Sequence, residues 1–129
     1  MHNGNCLCGQ VSYELNAEPD RIDLCHCSVC RKAHGSVLSA GASVPAGAFN
    51  ILTGEALLHY FESSPGKRRY FCRNCGTHLF ARTTANPDVV RLRVATLNTD
   101  LTHPVVKTLH LDSAPHWFAD TVQYQVPPA

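Results

Sequence analysis

Seven cysteines in a chain of 129 residues constrain this sequence more than any other feature. They fall into three clusters: Cys6 and Cys8, then Cys25, Cys27 and Cys30, then Cys72 and Cys75. An odd count excludes a complete set of intrachain disulfides. Thiols two or three positions apart also close only tiny loops, which is not the spacing of a disulfide framework. Residues 1–6 show neither the basic n-region nor the apolar h-region of a secretory signal. No run approaches the ~18 apolar residues of a membrane span. The expected compartment is therefore cytoplasmic and reducing, where clustered thiols act as metal ligands.

Composition narrows the function further. Hydrophobic residues make up 44% of the chain and charged residues 16%, against roughly 25% charged in an average soluble domain. The formal net charge of +1 lacks the basic excess of a nucleic-acid module. The length predicts one domain over residues 1–129, with no room for a second core.

Strand patterning dominates. Val11, Tyr13 and Leu15 alternate with Gln10, Ser12 and Glu14, as in a half-buried strand. Residues 57–61 and 69–71 read as strands around the turn Ser63-Ser64-Pro65-Gly66. Residues 78–82 and 89–97 read as another pair around Asn86-Pro87-Asp88, with Val90, Leu92 and Val94 on one face and Arg91 and Arg93 on the other. Residues 105–111 form a further strand candidate. Residues 28–34 are the one short helix candidate in the first half, with Ser28 as N-cap. Residues 36–48 are small, with Pro45 and Gly47 breaking any helix. The tail, with Trp117, Phe118 and Tyr124, is expected to cover the domain as an arm. Many short strands with little helix give an all-β domain.

The thiols divide four and three. Cys6 and Cys8, two apart on a strand, would share a face, with Gly4 and Gly9 letting the backbone pass close to an ion. Cys72-Arg-Asn-Cys75 followed by Gly76 is a metal knuckle in which the glycine supplies the positive φ of the turn. Together Cys6, Cys8, Cys72 and Cys75 make a closed tetrahedral site that staples the start of the chain to its middle. Cys25, Cys27 and Cys30 remain. Three protein ligands and one open position are the pattern of a catalytic zinc. Three thiolates on a divalent ion leave net charge −1, which Arg31, Lys32 and the first amides of the helix can offset. A histidine among His34, His78, His110 and His116 would instead close this site as a second structural one, whereas His26 alternates away from its neighbours. The spacing does not match the usual ferredoxin patterns, and a redox dithiol at Cys27 and Cys30 would normally open a helix in a βαβ unit, which is not seen here.

Several segments together resemble one known family. Asn3-Gly-Asn-Cys-Leu-Cys-Gly-Gln-Val-Ser-Tyr13, Cys25-His-Cys-Ser-Val-Cys-Arg-Lys32 with Gly35, Gly54, and Arg69-Tyr-Phe-Cys-Arg-Asn-Cys-Gly-Thr-His-Leu-Phe80 are similar to the glutathione-dependent formaldehyde-activating enzymes, a family that includes the centromere protein V type. The resemblance implies an all-β, zinc-stapled tent of small stacked antiparallel sheets. It implies two zinc ions per chain: a structural one at Cys6, Cys8, Cys72 and Cys75, and a catalytic one at Cys25, Cys27 and Cys30. It also implies a carbon–sulfur lyase whose synthetic direction adds glutathione to formaldehyde, with a small thiol and a small aldehyde as partners and neither nucleic acid nor membrane. His26, His34 and His78 are the candidate proton carriers. Arg31, Lys32 and Arg73 are the candidate carboxylate holders. The alternative from another class is a non-catalytic zinc-binding module that docks a protein partner.

Overall fold

Alternation in the sequence becomes strands, and the strands assemble into two stacked sheets. The computed structural model describes residues 1–119, so Tyr124 lies outside the described part. Strands β1 (His2–Asn5), β2 (Ser12–Leu15) and β5 (Phe49–Thr53) form a three-stranded antiparallel sheet in the order β1-β2-β5. Strands β3 (Arg21–Cys25), β4 (Ser39–Pro45), β6 (Leu58–Ser64), β7 (Lys67–Cys72), β8 (His78–Thr83), β9 (Val89–Arg93) and β10 (Val105–Leu109) form a seven-stranded sheet, ordered β10-β3-β4-β9-β8-β7-β6. Two short helices complete the fold: α1 (Ser28–His34) and α2 (His116–Ala119). The domain is mostly β, as expected. Among the described residues no helix is long and apolar enough to cross a membrane.

The core lies between the sheets. Tyr13 and Leu15 from β2 and Phe49 from β5 pack with Val44, Phe80, Val90 and Leu92 of the larger sheet. Phe49 sits edge-on to Phe80 at 5.0 Å, and Phe80 stacks on Tyr70 at 4.6 Å. Such aromatic pairs add roughly 0.5–1.5 kcal/mol each beyond the area they bury. Gly4 is required where β1 crosses this layer. A Cβ there would collide with the Tyr13 ring and with the Thr96 carbonyl, and the same glycine bridges to Leu97.

The seven-stranded sheet has a second face of different character. Residues paired across antiparallel strands point to the same side. The register Asp23↔Gly41↔Arg93, Ser43↔Arg91↔Ala81 and Ala81↔Arg69 therefore collects Lys67, Arg69, Arg91 and Arg93 on one face with small residues between them. Gly41 makes this possible, since a Cβ there would lie 3.0 Å from both Arg91 Nε and Arg93 Nη1. Helix α1 packs over this face.

Three local expectations are corrected. Cys27 rather than Ser28 is the N-cap of α1. Its backbone is extended and its Sγ accepts from the Cys30 amide at 3.4 Å. Strand β9 ends at Arg93, because the Thr96 hydroxyl donates to the Arg93 carbonyl at 2.8 Å and turns the chain into a 3-10 segment. The small-residue stretch after α1 forms β4, an inner strand where small side chains let cations from the neighbouring strand lie across it. Finally, β10 pairs with β3 in parallel, so the larger sheet is mixed. In the C-terminal arm, Phe118 is buried with its ring 5.4 Å from His26, while Trp117 stays exposed.

Candidate metal centres

The structure brings the seven thiols into two groups, and within each group all sulfurs lie within 4.8 Å of one another. The first is Cys6, Cys8, Cys72 and Cys75. Cys6 and Cys8 sit in a turn after β1 rather than on a strand. The turn is closed by Gly9 N–H to the Cys6 carbonyl at 3.0 Å, with Gly9 at φ 79°, and the Val11 amide reaches Cys6 Sγ at 3.3 Å. The second pair occupies a matching turn after β7, where the Gly76 amide donates to the Cys72 carbonyl at 2.7 Å and Gly76 has φ 81°. Thr77 joins the two turns. Its hydroxyl accepts from the Leu7 amide at 3.0 Å and lies 3.3 Å from Cys75 Sγ. The sulfur separations of 3.5 Å (Cys6–Cys8) and 3.9 Å (Cys8–Cys72) bracket the roughly 3.8 Å edge of a tetrahedron with ~2.3 Å zinc–sulfur bonds. This group fits a four-coordinate zinc.

The second group is Cys25, Cys27 and Cys30. Cys25 ends β3, Cys27 caps α1, and Cys30 lies one turn into the helix. Cys30 is buried, while Cys25 and Cys27 are half-buried. Among the described residues no histidine or carboxylate joins the three sulfurs. The His26 ring is held instead by the Val37 carbonyl, 2.7 Å from Nδ1, and so fixes the loop between β3 and α1.

The thiols of each group are not equivalent. Burial pushes Cys6 and Cys25 up to about 11. The Thr77 hydroxyl draws Cys75 down to about 5. At Cys30 burial acts upward, but the Ser39 hydroxyl, the neighbouring thiols and the positive Arg69 outweigh it and bring the group to about 7. Crowded sulfurs that resist joint ionisation suit a site completed by a cation, which lets all of them ionise together.

The cationic sheet face adjoins the three-thiol group. Arg93 is buried; its burial and the nearby Arg69 lower it to about 10, while Cys30 and Cys25 pull it upward. Burial, with Arg93, His78 and Arg69 nearby, drives His34 down to about 4. His78 is lowered by the same influences, and its ring lies 4.8 Å from that of His34. Both imidazoles are neutral at physiological pH. Beside them opens a cleft of about 640 Å³ between α1 and the β6–β7 hairpin, with Val29, Lys32, Arg69 and His78 in its walls.

The candidate carboxylate holders separate here. Lys32 lines the cleft. Arg31 is drawn back to the His26 carbonyl at 3.3 Å, and Arg73 is exposed in the turn of the four-thiol group. The sequence reading missed Arg69 and Arg93. Their signal was the alternation in Lys67-Arg-Arg69 and Arg91-Leu-Arg93, which places two cations of each strand on one face.

Comparison with known proteins agrees with this arrangement. The family model described as glutathione-dependent formaldehyde-activating enzyme matches residues 1–112. A Phaeosphaeria nodorum protein named for that activity is 32% identical over 78 residues, covering 60% of this chain and 41% of its own length. The matched segment thus spans well under half of that fungal relative. A Halomonas elongata protein of the same name is 30% identical over 123 residues, covering 88% of this chain and 77% of its own. The crystal structure of a Rhodobacter sphaeroides protein superposes with a TM-score of 0.63 at 25% identity, covering 76% of this chain and 89% of that one. The chain belongs to the glutathione-dependent formaldehyde-activating enzyme family.

Proposed function

We propose that this chain, as a single domain over residues 1–129, adds a small glutathione-like thiol to formaldehyde or another small aldehyde, giving an S-hydroxymethyl adduct. In this reading Cys6, Cys8, Cys72 and Cys75 hold a structural zinc, and Cys25, Cys27 and Cys30 hold a catalytic one. The observation that carries it is the asymmetry of the two groups: four sulfurs in one, and in the other three sulfurs, with no fourth donor among the described residues, beside a cleft. Zinc bound by the three thiols supplies an open coordination position and lowers the pKa of a thiol bound there.

The chain's own residues do the rest. Cys27 and Cys30 are locked together by the N-cap of α1, and His26 braces their loop against the Val37 carbonyl. Val29, which lies between Cys27 and Cys30 in the chain, forms part of the cleft wall, so a molecule in the cleft lies close to the thiol loop. His78 lines the same cleft and is unprotonated at neutral pH. Its ring takes the proton that the thiol loses and returns it to the aldehyde oxygen when the carbon–sulfur bond forms. No proton is gained or lost overall, and the product carries the thiol's sulfur on the former carbonyl carbon.

Exchange NMR tests the proposal. Zinc-loaded protein should accelerate exchange between ¹³C-formaldehyde with glutathione and the hemithioacetal, and Cys27→Ser should remove the acceleration. Exchange at the uncatalysed rate in protein carrying two zinc ions would refute it and leave the non-catalytic docking module.

A further inference from the structure

The second face of the larger sheet carries more positive charge than its surroundings balance. Asp23 pairs with Arg91 at 2.9 Å and with Arg21 at 2.6 Å. Lys67, Arg69 and Arg93 have no ion-pair partner among the described residues. Arg69 and Arg93 are buried, and Lys67 is half-buried. A cation taken out of water without a counter-charge is costly. Even a divalent ion on three thiolates would bring one net negative charge, too little for three cations.

The sheet leaves room for a small anion beside the β8–β9 turn. Register sets Lys67 opposite Thr83, Ser43 opposite Arg91, and the small Ala81 opposite Arg91. Between these rows lies a cavity of about 210 Å³. Its wall holds Lys67, Arg91, Ser43, Thr83 and Asn86, and no carboxylate. The volume falls below the roughly 300–1,000 Å³ of organic-ligand sites, so it suits an ion. The Ser43 hydroxyl accepts from Arg91 Nη1 at 3.2 Å, which leaves its own hydrogen to donate. Burial, with Arg69 and Arg93 nearby, holds Lys67 below the usual lysine range, as expected of a cation short of counter-charge. No residue of this wall belongs to the 640 Å³ cleft. Ser43 lies four positions along β4 from Ser39, the partner of Cys25, or about 13 Å at 3.2–3.4 Å per residue.

We infer that this cavity binds a small tetrahedral oxyanion, of the phosphate or sulfate class, as the counter-ion of the cationic sheet face. Its donors come from four strands and a turn: Ser43 on β4, Lys67 on β7, Thr83 on β8, Arg91 on β9, and Asn86 between the last two. Donors spread around a point match an ion with oxygens in every direction better than a planar carboxylate. Lys67 supplies the charge that lacks a partner, and Arg91 turns a second cation toward the same space. A bound ion would tie β4, β7, β8 and β9 together, so its concentration would raise the stability of the fold by mass action. The site does not depend on the thiol–aldehyde reading.

Titration of ¹⁵N-labelled, zinc-loaded protein with inorganic phosphate, and separately with sulfate, tests this at an ionic strength fixed with sodium chloride. The amide resonances of Ser43, Thr83 and Asn86 should shift saturably with at least one of the two ions. Lys67→Gln should weaken that binding at least tenfold. Arg82→Gln removes an equal charge from an exposed position outside this wall and should leave the affinity unchanged. If Lys67→Gln fails to fold by circular dichroism, Ser43→Ala, at an exposed position, takes its place with a severalfold loss expected. No saturable shift up to about 50 mM of either ion would overturn the inference, since a site that weak adds nothing to stability at cellular concentrations. So would shifts confined to the cleft amides of Val29 and His78, or an equal loss in Arg82→Gln, which would reduce the effect to the general field of the protein.

Discussion

Serine in place of cysteine should have opposite consequences in the two thiol groups. Cys72 is fully buried, and its sulfur is one of four. Structural zinc is worth about 10–16 kcal/mol in small zinc-binding peptides. A chain of this length has a total stability of about 6–19 kcal/mol, at roughly 0.05–0.15 kcal/mol per residue. Losing even half of the metal's contribution, about 5–8 kcal/mol, matches the lower of these figures and is about a third of the upper. A serine hydroxyl buried at the same place adds about 1–3 kcal/mol if left unpaired. Cys72→Ser should therefore unfold the domain or lower its melting point by tens of degrees. Cys27 is only half-buried, and its local task is to cap α1 by accepting from the Cys30 amide. Serine is among the preferred N-caps, so the helix should keep its cap, with a change within about 1 kcal/mol. Cys27→Ser should melt close to wild type while retaining one tightly held zinc and losing exchange activity. Thermal unfolding by circular dichroism, with metal content by atomic emission, reads both outcomes. Equal unfolding of the two variants, or a Cys72→Ser protein that melts like wild type, would refute the division into structural and catalytic centres.

Two further outcomes concern the scaffold. Phe80→Ala removes the ring held between Phe49 and Tyr70 and should cost about 3–5 kcal/mol, read as a lower urea midpoint with an unchanged slope. Asp23→Asn should cost about 1–3 kcal/mol at pH 7: burial alone would raise the carboxyl, but hydrogen bonds from Arg21 and Arg91 hold it below the ordinary range, and the substitution removes the charge that both guanidinium groups share. The same unfolding measurement on an Asp23→Asn, Arg91→Gln double variant should show non-additive losses.

Much of the site was legible in the sequence because metal ligation is a local signal. Two thiols and a glycine in a tight turn carry their purpose within five residues, and Cys72-Arg-Asn-Cys75-Gly76 folds as that pattern implies. Cys6 and Cys8 had the same character, since Gly9 supplies the turn, although period-two spacing read them as a strand. What escaped was non-local. Arg91 and Arg93 alternate with Val90 and Leu92, and such cations read as solvent-facing. They are drawn inward because α1 covers that face and Gly41 leaves them room. Arg69 lies beside Tyr70 in a strand whose register with β8 cannot be read locally. The parallel pairing of β10 with β3 left no trace either, since it depends on where the chain returns after β9.

That parallel pairing staggers the birth of the two centres. Residue 75 completes the four-thiol group, but the loop bearing Cys25, Cys27 and Cys30 gains its outer flank only when Leu109 pairs with Cys25 and accepts from the His26 amide at 3.0 Å. At about 5–20 residues per second the interval during synthesis is about 2–7 s. A pulse of thiol-alkylating reagent on nascent chains should then mark residues 25–30 more heavily than the four-thiol group. Oxidation of this young loop, before its last strand arrives, is the hazard that the order of the chain builds in.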